Sequence, residues 1–309
     1  MTIARMLKAL CAAAAIACAA TPAFAETPVA EAAAAPRASL NPALYVVRDA
    51  DSTLYIFGTM HIRRPGAGWG GPEAHAALAE AQEVWTEIPM GPETQAETQR
   101  LMPQYGLSPD KPLSQRLTPA QSARLAAALA RLGVPAQAVE PMRPWLAGLT
   151  VSILPIMQAG YDPNAGADQQ ITAAANAAGK IMRSFETVEQ QLGFFAGMTE
   201  AAQIEMLMDA VADLEAGNAL LVQMETAWER GDLETLSRVT LDDMRANYPE
   251  LFDIIMTRRN NAWVETLSRE LAGSGVDFVA VGAAHLPGPE GLVAQLQARG
   301  FAVTRVAAR

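Results

Sequence analysis

Two apolar runs with the same ending constrain the fold of this chain more than any other feature. Leu54 to His61 reads LYIFGTMH, and Phe278 to His285 reads FVAVGAAH. Short runs of continuous apolar residues are typical of strands that are covered on both faces, as in parallel sheets. We therefore expect two buried strands of one sheet, each ending in a Gly-x-x-His turn.

The segments around these runs predict an α/β fold with a mixed, mainly parallel central sheet. A polar turn joins residues 44–47 to residues 54–57, which is the pattern of an antiparallel hairpin. Further short strands are expected at residues 83–87, at residues 180–185 as a third core strand, and at residues 301–306. Helical patterns separate most of these strands, and such alternation builds parallel sheets.

A long helical middle is expected between the strands, including a helical insertion lobe at about residues 90–170. One helix should begin after Thr118 and end at Gly133. Residues 142–157 are apolar with embedded prolines, which predicts a broken or kinked helix. Residues 249–271 form the longest predicted helix.

The first 25 residues are expected to be a cleaved export signal. A short basic start precedes the apolar residues 9–20, and Ala-Phe-Ala at residues 23–25 supplies the cleavage pattern. The apolar run is too short for a membrane span, which takes about 20 residues. Residues 26–40 read as a flexible Ala/Pro-rich lead and residues 41–309 as a single domain. The protein is thus expected in the periplasm or outside the cell.

The export signal contains both cysteines of the chain, Cys11 and Cys18. A lipoprotein anchor at Cys18 is the alternative, but the residues before it match that pattern poorly. The mature chain is expected to have no disulfide and no thiol chemistry. The formal net charge of −10 disfavours nucleic acid and anionic membranes as partners, and no later segment reads as a membrane span. The oligomeric state stays open.

Three polar side chains, those of His61, Glu87 and His285, follow the ends of predicted strands. Ligands of open α/β sheets bind outside the carboxyl ends of the strands, so parallel neighbours would bring these side chains into one crevice. Gly58 and Gly282 would let the chain turn sharply or let a ligand approach the backbone. The competing interpretation is that each histidine is a hydrogen-bonded structural residue.

A charged residue on an apolar helix face gives an independent indication of a site. Arg259 falls within the apolar stripe of the helix at residues 249–271, with Asn260 near its edge and Arg258 pointing away. A buried guanidinium must be paired, because its burial otherwise costs several kcal/mol. Its partner would be Glu87, a substrate anion or another carboxylate such as Glu186 or Glu189.

Two histidines and one carboxylate suit two kinds of chemistry. They would hold a divalent metal such as Mn, Co or Zn, with Asp168 or Glu186 in reserve, and the metal would activate water. They would also activate water without metal, as general bases. The spacing does not choose, since no compact metal motif is present. No Gly-x-Gly-x-x-Gly directly follows a strand, no Gly-x-Ser-x-Gly elbow exists, and His75 is expected at the surface.

The order and spacing of these landmarks resemble the TraB/PrgY/GumN family, and its exported GumN-like bacterial branch in particular. The resemblance covers roughly residues 43–306. Its landmarks are YIFGTMH at 55–61, Glu87, MRPW at 142–145, GAD at 166–168, FETVEQQL at 185–192, RNNAW at 259–263 and VGAAHL at 281–286.

The resemblance implies a core similar to that of erythromycin-esterase-like and haem-binding ChaN-like proteins. The related Tiki proteins are described as metal-dependent proteases, which assigns His61, Glu87 and His285 to the active centre and Arg259 and Asn260 to the family's Arg-Asn pair. The expected function is therefore an exported, metal-dependent hydrolase that acts on a peptide or small-molecule substrate. The alternatives are a metal-free His/Glu esterase-type hydrolase and a non-catalytic protein that binds haem, iron or a peptide.

Overall fold

A six-stranded sheet lies at the centre of the residues that this computed structural model describes, 40–216 and 219–307. The predicted export signal and all of the predicted lead except Leu40 lie outside the described residues. The strand order is β4-β3-β5-β2-β1-β6. The strands are β1 (Leu44–Arg48), β2 (Ser52–Thr59), β3 (Glu83–Thr86), β4 (Ile181–Ser184), β5 (Gly275–Gly282) and β6 (Val303–Arg305).

Four neighbouring strands, β4, β3, β5 and β2, run parallel, and β1 pairs antiparallel with both β2 and β6. This arrangement confirms the predicted mixed, mainly parallel sheet and the predicted hairpin of β1 and β2. The register pairs Thr59 with Gly282 and Thr86 with Ala280. The carboxyl ends of β3, β5 and β2 therefore meet side by side at one edge of the sheet.

Helices cover the sheet and form two long segments, one between β3 and β4 and the other between β4 and β5. No helix in the described part of the chain is both long and apolar enough to cross a membrane. The α-helices are α1 (Pro72–Glu80), α2 (Pro92–Gly106), α3 (Pro119–Leu132), α4 (Ala136–Val139), α5 (Pro144–Gln158), α6 (Ala167–Ala177), α7 (Val188–Ala196), α8 (Glu200–Ala216), α9 (Ala219–Glu229), α10 (Leu233–Thr240), α11 (Asp242–Asn247), α12 (Pro249–Phe252), α13 (Arg258–Leu271) and α14 (Leu292–Ala298).

The boundaries of α3 confirm the signals in its sequence. Thr118 and Gln121 form a reciprocal capping box at its start, so two backbone N–H groups of the first turn are satisfied. Gly133 ends the helix with a φ of 70°, in the left-handed region that glycine adopts without a steric penalty.

Two sequence predictions about regular elements were wrong. The strand predicted at residues 180–185 is not a core strand: β4 pairs only with β3, and Ile181 is 50% exposed at this edge of the sheet. The predicted break in residues 142–157 is absent, because α5 is continuous from Pro144 to Gln158. Pro144 occupies the first turn, where a backbone N–H has no helical partner, and Pro155 lies in the last turn.

The predicted helix at residues 249–271 is helical throughout but not uniform. A π-helical segment, Asp253–Thr257, separates α12 from α13. Wide turns of this kind are frequent at functional sites and change the angular phase of the residues that follow. Arg259 and Asn260 are both buried just after it, whereas the Arg258 side chain is 70% exposed, as predicted.

Candidate active site

The structure brings together the three side chains that follow the central strands. His61 follows β2, Glu87 follows β3 and His285 follows β5, and all three are buried. Nε2 of His61 lies 3.6 Å from Oε1 of Glu87, and Nε2 of His285 lies 3.9 Å from the same oxygen. The three side chains predicted at strand ends therefore lie close together.

Both glycines of the Gly-x-x-His motifs provide space rather than an unusual backbone conformation. A Cβ on Gly282 would lie 3.0 Å from Nε2 of His61 and 3.1 Å from Oε1 of Glu87. A Cβ on Gly58 would lie 2.9 Å from the Leu286 side chain and 3.0 Å from the Ala283 backbone. Gly282 thus lets β5 approach the other two side chains, and Gly58 lets the ends of β2 and β5 pack together.

Arg259 links the site residues through a buried hydrogen-bond network. Its Nε and Nη2 donate to the two oxygens of Glu186 at 2.8 and 3.0 Å, a two-point pairing that fixes the guanidinium plane. Nη2 also donates to Oε2 of Glu87 at 2.5 Å, and Nη1 lies 3.2 Å from Nε2 of His285. Glu87 and Glu186 are therefore both partners of Arg259.

Glu186 follows β4 and is held from two further sides. The Trp263 indole N–H donates to its Oε1 at 2.9 Å, and Gln191 donates to its Oε2 at 3.1 Å. The Trp263 ring also lies against His285, with centroids 4.5 Å apart. Trp263 was not predicted from the sequence as a hydrogen-bond donor to the site. An indole N–H on a stripe that also contains a buried arginine is the signal that would have found it.

His285 is a neutral imidazole with both ring nitrogens engaged. Its Nδ1 lies 2.6 Å from Oδ1 of Asn260, and the amide nitrogen of Asn260 donates to the Glu290 carbonyl at 2.8 Å. Because this places an acceptor at Nδ1, the ring proton is on Nδ1 and Nε2 accepts from Arg259. Burial, together with the charge of Arg259, lowers the pKa of His285 to about 3.

His61 lies between two carboxylates and, unlike His285, is positively charged. Its Nδ1 is 3.1 Å from Oδ1 of Asp168, without the angle of a hydrogen bond, so we treat the contact as ionic. Burial by itself lowers the pKa of His61, but Asp168 and then Glu87 raise it to about 10. The imidazole is therefore protonated at neutral pH.

Glu87 is a carboxylate with both oxygens in contact with donors. The Gly282 backbone N–H donates to Oε1 at 2.8 Å, and Arg259 donates to Oε2. Burial raises the pKa of Glu87, but Arg259 and the two histidines outweigh burial and hold it well below its ordinary value. Oε1 remains the oxygen that faces His61.

The first turn of α6 positions Asp168 against the loop that follows β2. The Ala167 N–H donates to the Met60 carbonyl at 2.9 Å. A Cβ on Gly166 would lie 2.3 Å from the His61 carbonyl oxygen, so only glycine allows this approach. The predicted reserve residues thus have separate roles, since Asp168 contacts His61 and Glu186 contacts Arg259.

The TraB/PrgY/gumN family model matches residues 43–305, a range that contains all of these residues. The chain belongs to the TraB/PrgY/gumN family. No curated protein and no solved structure matches the chain significantly.

The metal expected from the resemblance to this family does not fit the side chains as they are arranged. Among the described residues, no group of three or more His, Cys, Asp or Glu side chains is placed to hold a metal ion. Both ring nitrogens of His285 already have partners, Arg259 at Nε2 and Asn260 at Nδ1, whereas a metal binds an unpaired ring nitrogen. The positive charge beside Glu87 comes instead from Arg259.

Two other residues named from the sequence lie outside the site. His75 is exposed, as predicted, and its ring packs on Trp69 with centroids 4.2 Å apart. Glu189 is exposed and accepts a hydrogen bond from the Tyr105 hydroxyl at 2.7 Å. Glu189 therefore serves as a control for site carboxylates.

Proposed function

We propose that the protein is a hydrolase that activates water between His61 and Glu87 without a bound metal. The observation that carries this proposal is the gap of 3.6 Å between Nε2 of His61 and Oε1 of Glu87. That separation is too long for a direct hydrogen bond and too short for a water molecule on the line between the two atoms, so the attacking water would lie beside that line, within hydrogen-bond reach of both. The second ring nitrogen of His61 contacts Asp168, and the second carboxylate oxygen of Glu87 pairs with Arg259.

The pair carries one mobile proton, which rests on His61 while Glu87 is ionised. In the proposed reaction Glu87 accepts a proton from water as the water oxygen bonds to the substrate carbonyl carbon. His61 gives its proton to the leaving alcohol or amine, and the proton on Glu87 then returns to His61. One water is consumed, the carbon–heteroatom bond breaks, and the site returns to its starting charge.

Several buried ionised groups at one sheet edge favour catalysis over a purely structural role. Arg259, Glu87 and His61 are less than a tenth exposed and have shifted pKa values, and ionisable clusters with strongly shifted pKa values concentrate at active sites. Haem binding, the most concrete non-catalytic alternative, has less support because neither ring offers a free, neutral nitrogen. The predicted export would place the reaction outside the cytoplasm.

The second candidate is the metal-dependent peptidase implied by the resemblance. Two histidine Nε2 atoms that lie within 4 Å of one Glu87 oxygen favour it. Metal binding there would require His61 to lose its proton and Arg259 to leave His285. These two rearrangements put it behind the metal-free reaction.

The test is hydrolysis of p-nitrophenyl esters and fluorogenic peptides by the purified protein, with and without EDTA and 1,10-phenanthroline. We expect activity to survive chelation and Glu87→Gln to lower kcat by about 10²–10⁴-fold. Glu189→Gln, the exposed control, should behave as wild type, and circular dichroism would show that each variant is folded.

The outcomes separate the two candidates. Loss of activity on chelation, with recovery on adding Mn, Co or Zn, supports the metal-dependent peptidase instead. Equal hydrolysis by wild type and Glu87→Gln contradicts both candidates, as does an absence of hydrolysis across the panel.

A further inference from the structure

The residues between glycine and histidine in both Gly-x-x-His motifs line a small pocket. Thr59 and Met60 come from the first motif, and Ala283 and Ala284 from the second. Its volume is about 20 Å³, and one water molecule needs roughly 10–15 Å³. The remaining walls come from α9 and α10, with the side chains of Met224, Trp228, Leu236 and Thr240.

One hydroxyl in this pocket lacks a hydrogen-bond partner. Thr59 is 2% exposed, and its Oγ1 has no partner among the described residues. The other polar side chains in the walls are already engaged: Thr240 donates to the Leu236 carbonyl at 2.6 Å, and the Trp228 N–H donates to the Gly58 carbonyl at 2.8 Å. A buried hydroxyl without a partner is costly, so a group that pairs with it would stabilise the pocket.

The walls suit a small aliphatic group better than a water molecule. A buried water is held by two to four polar partners. The side chains here offer only the Thr59 hydroxyl, because the other polar side-chain groups are engaged. A methyl or ethyl group gains from the apolar walls, and a polar atom attached to it would reach Thr59.

Two residues of the pocket wall are sequence neighbours of the histidines in the candidate active site. Met60 precedes His61, and Ala284 precedes His285. Met60 is half-buried while the other described lining residues are buried, which marks Met60 as the side of entry.

We propose that this pocket binds a small aliphatic group of the substrate, of methyl to ethyl size, whose neighbouring polar atom hydrogen-bonds to Thr59. Acetyl, propionyl and alanyl groups belong to this class. The inference rests on the proposed hydrolase function, since it assigns this group to the substrate of that reaction.

Binding of propionamide, measured by saturation-transfer NMR without any turnover, tests the pocket directly. We expect Thr59→Val, which keeps the side-chain size and removes only the hydroxyl, to weaken binding by about five- to tenfold. Thr98→Val is the matched control: Thr98 is a buried threonine of α2 outside this pocket, and its hydroxyl is likewise bonded within its helix, so affinity should not change.

The size limit is tested with hexanamide and with a variant that fills the pocket. We expect hexanamide to bind at least tenfold more weakly than propionamide, and Ala284→Leu to abolish propionamide binding. Equal binding of the two amides, no propionamide binding to wild type, or no weakening by Thr59→Val overturns the pocket proposal. Propionamide binding that requires Thr59, in a protein without hydrolytic activity, contradicts the proposed function alone.

Discussion

At the scale of single residues, Arg259 sets the charge state of the site. Its guanidinium pairs with Glu186, its Nη2 also donates to Glu87, and its Nη1 lies against His285. The permanent charge of the guanidinium keeps Glu87 ionised, and burial together with that charge keeps His285 neutral. Mobile protons at this edge of the sheet are thereby confined to His61 and Glu87.

Removing Arg259 should leave two buried carboxylates without their cation. We expect Arg259→Met to lower the free energy of unfolding by about 3–5 kcal/mol, because breaking a buried pair strands the opposite charge. Urea unfolding at pH 7 measures this change. Arg258→Met is the control, since the neighbouring side chain is 70% exposed and should show no measurable effect. Similar unfolding curves for the two variants would contradict the network described here.

Adding one methyl group at Gly282 should damage catalysis more than folding. A Cβ there would lie 3.0 Å from His61 and 3.1 Å from Glu87, so Gly282→Ala should push the pair out of alignment and lower kcat at least tenfold. The control is Gly193→Ala on α7, where a Cβ meets nothing within 4 Å. Activity of Gly282→Ala at the wild-type level would refute this account of the glycine.

The raised pKa of His61 predicts a loss of stability in alkali. The folded value is about 10 against 6.5 for the ordinary group, so the folded state binds more protons between these pH values. The resulting stability is complete below pH 6.5 and declines up to pH 10, by at most about 1.4 kcal/mol per unit. Urea unfolding at pH 6.5 and 10 should show this decline in wild type and in His75→Gln, but not in His61→Gln.

At the scale of secondary-structure elements, close backbone packing holds α5 in place. Gly148 lies in the middle of α5, and a Cβ there would be 3.2 Å from the Leu207 backbone on α8. Almost all of α5 is buried, so it reads as apolar on every side, and its periodicity does not reveal which neighbour it packs against.

A larger residue at Gly148 should separate α5 from α8. We expect Gly148→Val to lower the free energy of unfolding by about 1–3 kcal/mol, because helix backbones yield less readily than side chains. Thermal unfolding measures the effect, and Gly193→Val in an open helix position controls for the β-branched residue. Equal destabilisation of the two variants would mean that the close approach has no energetic role.

At the scale of the whole molecule, four parallel strands bring together residues from distant parts of the chain. At one edge of the sheet, the carboxyl ends of these strands are followed by His61, Glu87, Glu186 and His285. Arg259, which comes just after the π-helical segment, contacts the last three of these side chains from a helix. Arg259 pairs there with Glu87 and Glu186, so the proposed metal-free reaction calls for no added cation in folding.

Metal should therefore leave the stability of the protein unchanged. We expect the same Tm in EDTA and in Mn, Co or Zn, because a ligand raises Tm only when it binds the folded state preferentially. Differential scanning fluorimetry measures this directly. A rise in Tm with one metal that disappears in Glu87→Gln would show a metal site.

Local features of the sequence were enough to predict the sheet and several site residues. The apolar runs before His61 and His285 predicted buried strands, and the stripe of α13 predicted a buried Arg259. These predictions succeeded because burial leaves a periodic pattern within a single segment. The core-strand prediction at residues 180–185 failed because an edge strand and a centre strand differ in the strands they pair with, and the sequence of one segment does not show its pairing partners.

The sequence by itself thus determined which side chains stand at strand ends and on the inner face of a helix. Only the tertiary structure decided that Asp168 contacts His61 and that Arg259 donates to both Glu87 and Glu186. It also decided that His285 is neutral while His61 is charged. Hydrogen bonds and pKa shifts depend on distances of a few ångströms between groups far apart in the chain. No periodicity within one segment encodes those distances.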